Sequence, residues 1–388
     1  MNASNVGQAT SLPSAKPLRV AVIGVGHLGR IHARLLNSFS PQSQAQADNR
    51  AIHHDARLVA IADPSEPSRT AVSTELKIPA YADHRDLLGQ IDAAIVAVPT
   101  QFHHRVASDL LQHGIHVFVE KPITLNIADA DDLIAQAAKR RLTLQVGHVE
   151  RFNPAFTAAV PHLHEPKYID AVRSGPYTCR STDVGVVLDL LIHDIDIALS
   201  LVDDEVTSID AVGAPVIGPN EDWAQARLTF GNGCVANLFA SRVAWQSQRS
   251  MHVICADGAA TIDFAARQTK LMRVGGQIQS GQLDINRLDA PARAHLKDHL
   301  FDDYLPLTDL PTNKDANPLL EEQHSFIAAI HGQSAIPVPG SAGRAALDIA
   351  ERILTIIASH QSRGTTVAPS IIRPPHFLSA PSKRRRAG

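Results

Sequence analysis

LRVAVIGVGHLGRIHARLL, residues 18–36, decides how this chain folds. Val20 to Ile23 is a short run rich in β-branched residues, suited to a fully buried strand. Gly24, Gly26 and Gly29 follow in G-x-G-x-x-G spacing, and apolar Leu28, Ile31 and Leu35 then recur at helical intervals. Each glycine has a mechanical task. Gly24 makes the tight strand-to-helix turn, Gly26 lets backbone approach a pyrophosphate, and Gly29 lets the helix lie close on the strand. The helix start offers unpaired N–H groups and a positive dipole end to that phosphate. Glycine spacing alone matches many tight turns. The strand before it and the helix after it make this a dinucleotide site, lined by Gly24, Gly26, His27, Leu28 and Gly29.

Outward from that stretch, the polar segment 37–56 reads as a surface insertion. ARLVAIAD then predicts a second strand ending at Asp63. A carboxylate there accepts hydrogen bonds from the adenosine ribose and repels a 2′-phosphate. Asp63 lies further along than the usual spacing of about 20 residues, and the insertion absorbs the difference. No basic residue follows before Arg69, which favours NAD over NADP. IDAAIVAVPT, IHVFVEKPIT and LTLQVGH predict further strands, separated by the helical patterns FHHRVASDLLQHG and Ala128–Lys139. Alternating strands and helices imply a doubly wound parallel sheet, with ligands beyond the carboxyl ends of its strands. Pro99, Thr100, His103, Glu120, Lys121 and His148 fall at or just after such ends.

The second half changes character. RFNPAF begins a crossover, with Pro154 suited to a first helical turn. VGVVLDLLIHDIDIALSLV reads as one helix, placing Asp189 and His193 on the same face. Alternating runs from Val206 to Val274 follow, divided by turn signals at Gly231–Gly233 and Asp257–Gly258. They predict a large, mostly antiparallel open sheet, one face against helices and the other free to pair subunits as a homodimer or homotetramer. Residues 275–317 are polar and read as irregular, and two amphipathic helices follow. The expected organisation is a flexible N-terminus (1–16), a Rossmann domain (17–149), an α+β substrate and oligomerisation domain (150–366), and a flexible tail (367–388) that ends in a short basic run.

Composition narrows the possibilities. A chain of 388 residues with 44% hydrophobic and 19% charged content can bury two cores. Its net charge of −3 argues against a nucleic-acid partner. The three cysteines are far apart and lack metal spacing, so no metal site is expected and core thiols in a reducing cytoplasm are. No stretch resembles a signal peptide or a membrane span. With 20 histidines present, spacing and not residue type must pick out a functional one.

GVGHLG, VAVPTQFHH, EKPIT, VGHVERFNPAF and VLDLLIHDID, in this order, resemble the glucose–fructose oxidoreductase/inositol dehydrogenase (Gfo/Idh/MocA) family over roughly residues 18–360. That resemblance implies NAD-dependent oxidation of a sugar or cyclitol hydroxyl. It implies His193 as general base and Lys121 as electrostatic partner, with Asp189 either orienting the imidazole or binding a substrate hydroxyl. A neutral imidazole accepts a hydroxyl proton near neutral pH, and an adjacent ammonium favours that neutral form. Within the family, VGHVERFNPAF and ASRVAWQSQR are most similar to bacterial members that oxidise the 3-hydroxyl of UDP-N-acetylglucosamine before an aminotransferase acts, in building cell-envelope sugars such as those of lipid A. His148, Arg151, Asn153, Arg242 and Arg249 are then the candidate substrate residues. An inositol or free-polyol dehydrogenase is the alternative, and a non-catalytic NAD-binding sensor is a third possibility.

Overall fold

The computed structural model describes residues 17–38, 56–179 and 184–363. The expected flexible ends and most of the 37–56 insertion lie outside those residues.

Six short parallel strands form the first sheet: β1 (Leu18–Ile23), β2 (Ala56–Ala62), β3 (Ala80–Tyr81), β4 (Ala93–Val96), β5 (His116–Glu120) and β6 (Leu144–Gly147). Their order is β3-β2-β1-β4-β5-β6. Chain direction across the sheet therefore reverses between β1 and β4, the crevice where ligands of such sheets sit. Helices α1 (His27–Asn37), α2 (Glu66–Leu76), α3 (His103–Gln112) and α4 (Ile127–Arg140) make the crossovers. The central strands are apolar throughout, as a sheet covered on both faces requires: Val20 to Val22 and Ala93 to Val96 are fully buried.

Next come a short helix α5 (Pro154–Ala159), a strand β7 (Pro166–Ser174) and helix α6 (Ile192–Leu201). Residues Val187–Leu191 enter α6 as a π-helical turn, where the sequence predicts unbroken α-helix. Asp189 sits inside that wide turn. Such turns shift the backbone register and cluster at functional sites.

The second sheet has eight strands, adding β8 (Val206–Ala214), β9 (Trp223–Phe230), β10 (Val235–Ser241), β11 (Gln248–Cys255), β12 (Gly258–Asp263), β13 (Gln268–Arg273) and β14 (Leu307–Leu310). Its order is β14-β13-β12-β11-β7-β10-β9-β8, antiparallel except where β10 pairs with β7. The fold is thus a parallel Rossmann sheet followed by a mostly antiparallel open sheet. The stretch 275–317 is more ordered than its polarity suggests: it forms helix α7 (Ala290–Asp298) and contributes β14 as an edge strand. Helices α8 (Pro318–Ile330) and α9 (Gly340–Arg363) are the last elements of the described residues. Phe326 and Ile327 of α8 join the core around β1 and β4, and Leu347 of α9 joins the core around β4 and β5. The C-terminal helices so tie the second half to the first sheet.

Of the cysteines, Cys234 and Cys255 are buried, and burial raises their thiol pKa values. Cys179 is exposed, against the expectation of a core thiol. It follows β7 at a positive φ. Among the described residues no helix is long and apolar enough to cross a membrane.

Candidate active site

The glycine turn is built for close approach. Gly24 has φ +83°, and a Cβ there would stand 2.7 Å from the Ala97 carbonyl oxygen. A Cβ on Gly29 would overlap the Gly24 carbonyl. At Gly26 the space is open, and α1 begins with no side-chain cap and no acidic residue in its first turn. Its N–H groups are therefore directed at whatever enters that space, an arrangement suited to a pyrophosphate. A cavity of about 760 Å³ adjoins the turn and continues past Asp63, Arg85, Pro99, Phe102 and Arg105. These features fit a dinucleotide.

Asp63 is fixed at the end of β2: one carboxylate oxygen accepts from Val25 N–H at 2.8 Å, the other from Ser65 N–H at 2.8 Å. Distance to Arg69 along the chain proves a poor guide to local charge, because Arg85 and Arg105 also line the cavity. Arg85 is ion-paired with Asp83, and Arg105 stacks over the Phe102 ring at 5.3 Å. With Asp63 expected to take the adenosine ribose, calorimetric titration should give at least a tenfold preference for NAD over NADP, about 1.4 kcal/mol. Equal affinities would overturn that role for Asp63.

Lys121 and His193 lie beyond this cavity. Lys121 directly follows β5, and its Nζ donates to the Asp189 carbonyl at 2.7 Å and to the Asp189 carboxylate at 3.2 Å. His193 is half-buried in the first turn of α6, and its Nδ1 is buried with no hydrogen-bond partner. Burial first, then the charges of Lys121 and Arg173, hold its pKa well below the ordinary imidazole range. His148, 1% exposed, stands edge-on to it with ring centroids 6.1 Å apart. Both His148 nitrogens are buried without hydrogen-bond partners, and burial lowers its pKa too. Two imidazoles of lowered pKa thus lie within electrostatic reach of the Lys121 ammonium.

Other candidates are placed differently. His103 is buried, and its ring nitrogens lie 2.9 Å from the carbonyls of Val98 and Pro122, stapling the end of β4 to the Lys121 segment. Glu120 is also buried, bonded at 2.7 Å to His32 of α1, which in turn accepts from Gln323 of α8. His27 and Pro99 are exposed, while Leu28 and Thr100 are half-buried at the rim of the turn. Arg151 is held by Asp196 at 2.6 and 2.9 Å. Asn153 caps α5 and donates to Glu150 and the Phe264 carbonyl.

Arg242 lies just past the end of β10, inside the protein. It is buried against Asp222 at 2.6 Å and donates to the Val184 carbonyl at 2.9 Å. Glu221, beside Asp222, accepts from Val187 N–H at 3.1 Å. The pair therefore anchors the entrance to the π turn that carries Asp189. Replacing Asp222 with alanine should destabilise the protein by about 3–5 kcal/mol, since Arg242 would keep its buried charge without its partner; chemical denaturation measures this. Arg249, by contrast, is exposed and close enough to depress the His193 pKa. It shares the inward face of β11 with Met251 and Val253, the face that α6 covers.

Three buried groups carry no sequence signal. Arg173 bonds Asp194 at 2.8 and 2.9 Å and Glu150 at 2.6 Å, all within the core. The Glu322 carboxyl is fully buried behind Glu120, and burial raises its pKa well above the carboxylate range. His32 lies on the buried face of α1, which is offset from Leu28, Ile31 and Leu35.

The fold and the glycine turn are shared with known proteins. Residues 18–148 match the model of the oxidoreductase family with an NAD-binding Rossmann fold, and residues 155–261 match the GFO/IDH/MocA C-terminal domain. The chain is 36% identical over 252 residues to the UDP-N-acetylglucosamine 3-dehydrogenase of Acidithiobacillus ferrooxidans, covering 64% of this chain and 74% of that one. It is 28% identical over 243 residues to the scyllo-inositol 2-dehydrogenase (NAD(+)) of Bacillus subtilis, covering 58% and 67%. A solved structure of the A. ferrooxidans enzyme, GnnA, superposes with a TM-score of 0.75 at 30% identity over 89% of this chain and 99% of that one. The chain belongs to the Gfo/Idh/MocA family of NAD-dependent oxidoreductases.

Proposed function

We propose that this enzyme oxidises a sugar hydroxyl with NAD, and that its substrate is a UDP-N-acetylhexosamine attacked at the 3-hydroxyl. The observation that carries this is Lys121 anchored on Asp189 beside a neutral His193, with exposed Arg249 in electrostatic reach. The identity to the A. ferrooxidans enzyme supports the substrate class. A cation at the mouth suits a diphosphate, to which a guanidinium binds bidentately. A free polyol has no use for it.

The glycine turn and Asp63 would hold the cofactor, whose nicotinamide supplies the hydride acceptor. His193 accepts the hydroxyl proton; its depressed pKa keeps the ring unprotonated and able to do so. Lys121 sets an ammonium where alkoxide charge develops, and Asp189 holds that ammonium in place. His148 stands beside His193. Formation of NADH with UDP-N-acetylglucosamine, followed by absorbance with a trap for the 3-keto product, tests the proposal. Activity on inositol and none on any UDP-sugar would hand the substrate to the polyol reading, which the inositol dehydrogenase relative favours. Arg249→Ala should raise KM for the nucleotide sugar more than it lowers kcat.

The outward face of the second sheet leaves Val212 and Ile254 in solvent, with Leu307 exposed at its edge. A homodimer or homotetramer paired through that face would cover them. Sedimentation at micromolar concentration should show it; a monomer would remove the claim.

A further inference from the structure

Trp245 is 92% exposed, the most exposed large hydrophobic residue among those described. It sits in the connection between β10 and β11, which crosses the carboxyl end of β7 because β7 lies between those strands. That connection is pinned on both sides. Gly175 N–H donates to the Ser241 carbonyl at 2.9 Å, Ala244 N–H to the Gly175 carbonyl at 3.1 Å, and Arg242 is locked to Asp222. The Arg242 guanidinium also lies 5.4 Å from the Tyr177 ring centroid. An indole is thus presented to solvent on a fixed support, flanked by the exposed polar residues Gln246, Ser247 and Gln248.

Its position relative to the catalytic residues follows from strand register. Arg173 of β7 bonds Asp194, the neighbour of His193, and pairs across the ladder with Arg249. Directly opposed residues stand about 5 Å apart. Four residues of chain reach at most about 14 Å, so Trp245 lies within that distance of Arg249, on the same end of the sheet as His193. That end of the sheet therefore carries an imidazole of lowered pKa, a cation and an aromatic plane. A nucleotide sugar presents the matching set of reacting hydroxyl, diphosphate and planar heterocycle.

We propose that Trp245 is the stacking platform for the base of the nucleotide sugar, with Arg249 spanning the diphosphate between it and His193. This rests on the nucleotide-sugar reading above and names the part of the substrate that each rim residue takes. Stacking of a base on an aromatic side chain tolerates any π-face. The platform therefore recognises the presence of a base, and hydrogen bonds elsewhere must choose which.

The chain has two tryptophans, Trp245 and the half-buried Trp223 of β9, so intrinsic fluorescence reads the platform directly. UDP alone, added to the full-length protein, should quench emission in the wild type and not in Trp245→Phe. Calorimetry should show Trp245→Ala binding UDP about 5- to 150-fold more weakly, matching about 1–3 kcal/mol per stacked base. Trp245→Phe should recover most of that loss. Unchanged UDP affinity in Trp245→Ala, or quenching by N-acetylglucosamine instead of UDP, would overturn the platform and leave the proposed substrate standing. Failure of the wild type to bind UDP at all would overturn both. A fall in oligomer size in Trp245→Ala with UDP affinity retained would assign the indole to a subunit contact, and the platform would be discarded.

Discussion

His193→Asn is expected to lower turnover by about two orders of magnitude or more, the usual worth of a positioned general base. Asparagine fills similar space and cannot take the proton. Dinucleotide affinity should change little, because His193 lies on α6 and not in the glycine turn. Lys121→Met should cause a comparable loss by removing the charge that meets the developing alkoxide. The two variants differ in pH dependence. Burial is the first cause of the low His193 pKa and Lys121 the second. In the wild type, kcat/KM should therefore stay level as pH falls through 6.5, the ordinary imidazole value, and drop only well below it. In Lys121→Met the ring gains proton affinity, so the acid limb should move to higher pH. In His193→Asn that limb should vanish from the residual rate. Stopped-flow absorbance at the NADH band measures all three proteins. Undiminished turnover in His193→Asn would overturn the assignment of the base, and an unmoved acid limb in Lys121→Met would overturn the electrostatic coupling.

Why some of this was legible and some was not comes down to periodicity and sequence distance. Gly24, Gly26 and Gly29 act within one turn of chain, so their spacing states their task. The strands of the first sheet are buried on both faces and read as unbroken apolar runs. Asp189 and His193 stand out only because EKP precedes them in a pattern that resembles a family. The π turn at Val187–Leu191 has no such signature, since VLDLL suits an α-helix equally well. Arg242 looks like an exposed cation until Asp222, in the loop just before β9, is brought against it. His32 and Glu322 sit in helices whose polarity suggests solvent, and only tertiary packing buries them. Local chemistry is written locally; partners from distant strands are not.

Arg173→Met tests the largest of those distant partnerships. Arg173, Glu150 and Asp194 are buried together, and the guanidinium bonds both carboxylates. Removing it leaves two carboxylates in the core with no cation between them, a loss expected to cost about 3–5 kcal/mol. Methionine supplies similar volume, so the cost measures charge and not a cavity. The sign of the pH dependence follows from Asp194. Burial already raises its pKa above the unfolded value, and Arg173 opposes that rise. Without Arg173 the carboxyl should rise further, so the folded variant binds more protons than its unfolded chain around and above pH 4. Its stability should therefore improve as pH falls from 8 towards 5, narrowing the gap to the wild type. Combining Arg173→Met with Asp194→Asn should recover part of the loss at neutral pH, because one buried charge is then gone. Because Asp194 adjoins His193, the single variant should also lose turnover beyond what unfolding explains. Urea denaturation at several pH values, with kcat measured on the folded fraction, reads both effects. A pH-independent loss below about 1 kcal/mol would mean that water reaches this cluster, and that the buried network does not set the position of His193.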